Sequence, residues 1–357
     1  MSTKEYGKRL FEVDCIKFFA IIFMVWIHVY EQFGKYDYRE VMPDTLARNF
    51  LEFVGGPLAA PVFMFCMGMG MIYTRKQQVS DFVSRGLKLM VTGYLLNFFR
   101  QTLLQLIGMM IGVETDMEIM GGLLNVDILQ FAGMAYLTVG IMKKCKLSRF
   151  QMLGVCVCFQ MLGIWGTKLK IASITLQNII GLFLPTGKWV AFPLTIWLVY
   201  PVTGMLFAEL INKTNNKELL YRRLLLTAVL FFSAYTSCLF YVGYDIRKFF
   251  SLYCDFYYHQ TFLSLLWVLP LILISLCGCY FAFEKIKENK IGKYIAFSSI
   301  NLNKIYIFQW MIIAYVKAIT IMIGKELNLS AYVILILGSF IMIMSCCTVC
   351  FKYGRDI

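Results

Sequence analysis

Apolar residues run along this chain in blocks close to twenty residues long, each closed by a short polar and basic segment. Ten such blocks stand at roughly 16–34, 51–73, 88–112, 123–142, 150–167, 190–211, 224–243, 261–283, 303–323 and 331–351. Each matches the ~20 residues that a helix needs to cross the hydrocarbon core of a bilayer. The pattern predicts an all-α polytopic membrane protein of about ten transmembrane helices. No loop is long enough to fold alone, so residues 1–357 read as a single integral membrane domain. Residues 174–186 are apolar but too short to span, which suits a re-entrant or interfacial piece. Residues 294–304 read as a polar lead-in to the ninth block, and no internal repeat is apparent.

Composition supports this reading. With 59% hydrophobic and 15% charged residues, the chain lacks the polar surface to cover a soluble globule. The net charge of +13 comes from basic residues in short clusters between apolar runs, which points to membrane orientation and away from nucleic acid. With a cytoplasmic N-terminus, the inner segments 1–15, 74–88, 143–149, 212–223, 284–293 and 352–357 carry 21 of the 34 Lys and Arg, and the outer loops carry 9. Both termini are therefore expected in the cytoplasm of a multi-pass cell-membrane protein. The first apolar run is too long for a cleavable signal, and Trp26-Ile-His-Val-Tyr30 is no small-residue cleavage site. Of the twelve cysteines, Cys156, Cys158, Cys277, Cys279, Cys346, Cys347 and Cys350 lie in apolar segments and only Cys254 in an outer loop. They have no nearby His or Asp, so apolar packing is expected and no metal.

His28 is one of only two histidines and lies inside the first apolar block. A titratable ring in a membrane-spanning helix is costly and marks a functional site by default. Asp14, Lys17, Ile21, Val25 and His28 fall within about a 100° arc of one helix, with His28 about 16 Å along the axis from Lys17. Asp14 and Lys17 are placed as an inner ion pair. Asp127, entering in the fourth block, should reach a depth similar to that of His28, where it would fix the tautomer of the ring and stabilise an imidazolium. The alternative is two unrelated buried polar groups. Arg100, flanked by Asn97 and Gln101, needs an acidic or phosphate partner: a ligand, Asp127 or Glu52. Arg85 and Lys88 share a helix face as the third block begins, which suits a phosphorylated ligand or plain anchoring to anionic lipid. Gly55-Gly56-Pro57, Pro61, Gly68 and Gly70 make the second block irregular and thin. His259, beside Tyr257 and Tyr258, reads as an incidental member of an interfacial aromatic belt.

Several segments resemble, in order, the transmembrane acyltransferase superfamily, which includes the acyltransferase-3 and heparan-α-glucosaminide N-acetyltransferase-like proteins. Asp14-Cys-Ile-Lys17-Phe-Phe-Ala20 with His28 is similar to the Asp-x-x-Arg-x-x-Ala pattern with His fourteen residues after the Asp. Ala59-Ala-Pro-Val-Phe-Met-Phe-Cys-Met-Gly68, Arg85-Gly-Leu-Lys88, Asp127-Ile-Leu-Gln130, Phe192-Pro…Trp197-Leu-Val-Tyr-Pro201…Gly204 and Ile305-Tyr-Ile-Phe-Gln309-Trp resemble further segments. Lys17 and Lys88 stand where Arg is usual, giving point charges instead of planar forks, and Gln309 stands where His is common.

The resemblance implies an acyl-CoA co-substrate, most often acetyl-CoA, and a carbohydrate or glycan acceptor on the far side of the bilayer. It implies His28 as catalytic base or transient acyl carrier, oriented by Asp127. Arg85 and Lys88 would engage the CoA phosphates, Asp14 and Lys17 would border the CoA channel, and Gln130 and Gln309 would donate to the thioester carbonyl. Arg100 is a substrate-binding candidate. The oligomeric state stays open, a homodimer included. The competing reading is a transporter or flippase with His28, Asp127 and Arg100 as an intramembrane relay.

Overall fold

In lipid a backbone satisfies its own polar groups only by coiling or by closing a barrel, and this chain coils. The computed structural model of the protein describes residues 9–34, 36–37, 40–41, 44–113, 118–187, 190–251, 257–325 and 327–353. The helices are α1 (Phe11–Phe33), α2 (Leu46–Gly55), α3 (Ala60–Tyr73), α4 (Val79–Asn97), α5 (Leu103–Met110), α6 (Ile119–Leu123), α7 (Ile128–Lys144) and α8 (Arg149–Gly166). They continue with α9 (Ile174–Gly181), α10 (Leu194–Trp197), α11 (Val199–Lys213), α12 (Lys217–Tyr241), α13 (Phe262–Phe283), α14 (Lys290–Ile300), α15 (Leu302–Met322) and α16 (Ala331–Tyr353). A π turn, Phe98–Thr102, joins α4 to α5, and two short strands, Tyr36–Asp37 and Glu40–Val41, pair after α1. Among the described residues, seven helical segments are long and apolar enough to cross a membrane: Phe11–Phe33, Leu46–Tyr73, Leu194–Lys213, Lys217–Tyr241, Phe262–Ile286, Leu302–Met322 and Ala331–Lys352. The other three predicted blocks coincide with α4–α5, α7 and α8.

The helix α1 is the hub of the bundle and packs against α2, α3, α13, α14, α15 and α16. Its predicted face is the buried one: Asp14, Ile21, Val25 and His28 are all inside and Lys17 is half-buried. By contrast α12 is mostly exposed, with only Tyr221, Ala228 and Leu239 buried, as a lipid-facing helix would be. Two pairs of glycines set the closest crossings. A Cβ on Gly68 would stand 1.9 Å from the Pro201 carbonyl oxygen, and one on Gly204 would stand 2.0 Å from that of Phe65, so α3 and α11 touch backbone to backbone. Gly86 and Gly133 play the same part between α4 and α7, each Cβ position falling 2.8 and 2.7 Å from the other's carbonyl oxygen. With no hydrophobic effect between helices in lipid, such close approach is a main source of packing energy.

The structure departs from the sequence pattern where the backbone bends. The second block starts earlier, at Leu46, and breaks between Gly56 and Ala59. The third contains the π turn. In the fourth, residues 124–127 are unwound and α7 begins only at Ile128. Residues 294–304 are no simple lead-in: α14 runs to Ile300 and turns at Asn301 into α15. The short apolar stretch after residue 173 forms the eight-residue α9. Cys156, Cys277, Cys279 and Cys346 are buried as packing residues, while Cys158 and Cys347 are exposed; Cys254 lies outside the described residues.

Gly204→Leu drives side-chain carbon into backbone that cannot move aside, an overpacking cost of at least about 1–3 kcal/mol. The melting temperature of the detergent-solubilised variant is expected to fall by several degrees. Gly70→Ala, whose new carbon meets nothing within 4 Å, should leave it unchanged.

Candidate active site

Two cavities open toward opposite ends of α1. The larger, about 960 Å³, lies at the Phe33 end and is lined by His28, Glu31, Arg100, Asp127, Asn178, Tyr257, Tyr258, Trp310 and Lys317, among others. The smaller, about 490 Å³, lies nearer the Phe11 end and is lined by Lys17, Cys66, Arg85, Lys88, Tyr136, Ser299 and Tyr306, among others. Met24 and Ile128 line both. The wall between the cavities is therefore thin, and the polar groups of the bundle centre gather at it.

Those groups form one network built by three irregularities of backbone. The π turn carries Arg100, and such a turn inside a helix often marks a functional site. The unwound stretch before α7 is clamped by Asn97 of α4, whose side-chain amide donates to the Leu123 and Asn125 carbonyl oxygens at 3.0 and 2.7 Å. Asp127 follows as the N-cap of α7, accepting from the Ile128 N–H at 2.7 Å, where the helix dipole favours a carboxylate. Arg100 Nη2 then reaches Asp127 Oδ2 at 2.6 Å and also donates to Asn97 Oδ1 at 3.0 Å. The Tyr306 hydroxyl of α15 donates to the same Asp127 oxygen at 2.8 Å. With side chains only 4% and 14% exposed, Arg100 and Asp127 each depend on the other for a counter-charge.

His28 meets this network through aromatic faces. Its ring lies 4.2 Å from that of Trp310 and edge-on to Tyr306 at 5.9 Å, and the Arg100 guanidinium covers the Trp310 ring at 4.3 Å. The expected His28–Asp127 contact does not form: among the described residues no hydrogen bond joins them, because Arg100, Tyr306 and Ile128 take the carboxylate. The amide of Gln309 stands where that carboxylate was expected, its Oε1 3.2 Å and its Nε2 2.9 Å from His28 Nδ1. The tautomer of His28 follows from which end of this amide meets Nδ1: Oε1 accepting from Nδ1–H leaves the Nε2 lone pair that a base requires, whereas Nε2–H donating to Nδ1 puts the ring proton on His28 Nε2. Gln309 is fully buried and its Nε2 also donates to the Tyr306 carbonyl at 3.1 Å.

The remaining candidates divide. Asp14 does not pair with Lys17. It takes Arg9 Nε at 2.5 Å and the Ser299 hydroxyl at 2.6 Å, since the turn of α14 brings that serine over the start of α1. Lys17, Arg85 and Lys88 all line the smaller cavity, and no ion pair to any of them exists among the described residues; Arg85 lies over the Tyr136 ring at 5.2 Å. Glu52 is claimed by Arg48 and Tyr30, which leaves Arg100 to Asp127. Gln130 lines neither cavity. It is buried against Gly93 of α4, where a Cβ would come within 2.8 Å of its amide carbon, and among the described residues its amide has no hydrogen-bond partner.

Residues missed in the sequence are Tyr306, Trp310, Glu31 and Tyr258. The Tyr258 hydroxyl donates to Glu31 Oε1 at 2.8 Å. Burial, with the Glu31 carboxylate adding to it, lifts the Tyr258 phenol well above its ordinary value and keeps it a neutral donor. The i, i+3 spacing of His28 and Glu31 on one helix was the available signal; the pairing partners on distant helices had none.

Removing one member of the buried pair leaves the other charge stranded, at a cost of about 3–5 kcal/mol. Asp127→Leu and Arg100→Met are each expected to unfold well below the wild-type temperature. The double variant should recover most of the loss in a thermal-shift double-mutant cycle.

The family model for the catalytic region of heparan-alpha-glucosaminide N-acetyltransferase matches residues 9–245. No curated protein and no solved structure matches the chain. The matched stretch carries His28, Arg100, Asp127 and the cavity cations Lys17, Arg85 and Lys88; Tyr306, Gln309 and Trp310 lie beyond it. A match over this much of the sequence settles the class, and the transporter relay is not favoured: this chain belongs to the heparan-α-glucosaminide N-acetyltransferase-like family of transmembrane acyltransferases.

Proposed function

We propose that the protein carries an acyl group, acetyl in the first instance, from cytoplasmic acyl-CoA to a hydroxyl or amine of an extracytoplasmic carbohydrate. Acetyltransferases of this family use acetyl-CoA, whose thioester supplies the activated acyl group. One observation carries the reading: a cavity lined by four cations, Lys17, Lys76, Arg85 and Lys88, none with an ion pair among the described residues, and a larger cavity walled by aromatic and amide side chains meet at the layer that holds His28. Lys17, Arg85 and Lys88 have the charge to hold phosphates, Arg85 as a fork and the lysines as point charges. The acyl group would enter past Tyr306 and Met24, and the acceptor would arrive from the Phe33 end.

His28 Nε2 then acts as the base toward the acceptor, or carries the acyl group in transit. Gln309 orients the ring and Asp127 acts through Arg100 and Tyr306, holding the wall in place. The smaller cavity faces the cytoplasm, with both termini on that side, following the excess of basic residues in the segments around it. In this reading α4–α5, α7 and α8 also cross, for ten spans in all. The proton-transfer share of such a base is about 10²–10⁴ in rate.

His28→Ala is expected to lower CoA release from acetyl-CoA by at least about a hundredfold with little change in acetyl-CoA affinity; retained turnover would remove His28 from the chemistry. Arg85→Ala with Lys88→Ala should do the reverse, raising KM for acetyl-CoA, with the difference shrinking as salt is added. A KM indifferent to both substitutions would take the phosphates away from these residues.

A further inference from the structure

Glu31 is the acidic residue of the larger cavity left without a stated role. It lies three residues after His28 on α1, so the two side chains share a face about 4.5 Å apart along the axis. Both line the same cavity. Glu31 Oε1 accepts from the Tyr258 hydroxyl, which fixes the carboxylate, and among the described residues neither oxygen has an ion-pair partner. Of the cations around it, Arg100 is paired with Asp127 at 2.6 Å, and the Lys317 ammonium donates to the neutral Gln32 side chain at 3.0 Å and keeps its charge. A carboxylate withdrawn from bulk water calls for a positive or donor-rich partner, and here the open side of the group is the cavity.

We propose that Glu31 is a catalytic residue that receives the acceptor nitrogen as an ammonium and takes its first proton, so that His28 has only the second to remove. The inference rests on the acyltransferase reading above. An ammonium has no lone pair and must lose a proton before it can attack. Glu31 takes that proton and becomes a carboxylic acid. The freed amine attacks the thioester carbon; a C–N bond forms and the C–S bond breaks. His28 Nε2 takes the second proton and passes it to the departing CoA sulfur, and the proton on Glu31 leaves to water at the mouth of the cavity. A hydroxyl acceptor needs only His28, so the carboxylate selects amines over hydroxyls.

The test compares methyl α-glucosaminide with methyl α-glucoside as acceptors for the full-length protein in detergent, with acetyl-CoA as donor. Wild type should acetylate the amine in strong preference. Glu31→Gln should lose about 10–100-fold in kcat/KM toward the glucosaminide near neutral pH, the worth of a hydrogen bond to a charged group. That deficit should shrink as pH rises and the amine neutralises itself. KM for acetyl-CoA and any turnover of the glucoside should not move. Tyr258→Phe, which keeps the charge and removes its anchor, should give a smaller loss of the same kind. An equal loss toward both acceptors, a deficit independent of pH, or no preference in the wild type would overturn the role of Glu31 while leaving CoA release by the wild type, and with it the transferase reading, intact. A wild type that releases no CoA at all would overturn both.

Discussion

A guanidinium in the middle of a membrane bundle must be met by an anion, and the meeting of Arg100 with Asp127 organises everything around it. The π turn lets the arginine leave the regular helical spiral, and the unwound stretch at residues 124–127 lets the aspartate cap α7 at that depth. Tyr306 brings α15 to the same carboxylate. Three parts of the chain far apart in sequence are thus tied at one point, and Trp310 touches both the guanidinium and the imidazole of His28. The aspartate first looks like a partner for the histidine. The charge balance assigns it to the arginine, and a neutral amide orients the ring instead.

This tie also makes the wall between two cavities of different character. On one side the cations Lys17, Arg85 and Lys88 have no ion pairs to satisfy them among the described residues. On the other, aromatic rings, side-chain amides and Glu31 face an open volume about twice as large. Such an asymmetry suits a reaction whose substrates approach from two compartments, one heavily phosphorylated and the other rich in hydrogen-bond donors. The cations that edge the smaller cavity lie toward the Phe11 end of α1, the end for which the excess of basic residues predicts a cytoplasmic side.

Much of this was legible from the order of residues. Apolar block length located every long helix, because lipid permits little else, but α1, α4 and α12 start at Phe11, Val79 and Lys217, five to nine residues before their blocks, where polar residues open the helix; the arc from Asp14 to His28 is the inward face of α1. What the sequence hid were the interruptions. A π turn leaves the local composition unchanged, and the start of α7 at Ile128 is signalled only by an aspartate that was read for its charge and not as a cap. Partner choice was hidden for the same reason: nothing local says that Arg9 and Ser299 claim Asp14, or that Gln309 lies against His28 across 281 positions of chain. Gln130 looked like a donor to substrate because it follows the Asp127 cap, yet its position on the helix turns it toward Gly93.

The most direct test of the whole account is a structure of the protein with acetyl-CoA bound. The account predicts the phosphates against Lys17, Arg85 and Lys88, the pantetheine arm passing Tyr306, and the thioester at the wall within reach of His28 Nε2. Phosphates bound instead at the Glu31 and Lys317 end, or a thioester stopped far from the imidazole, would contradict it.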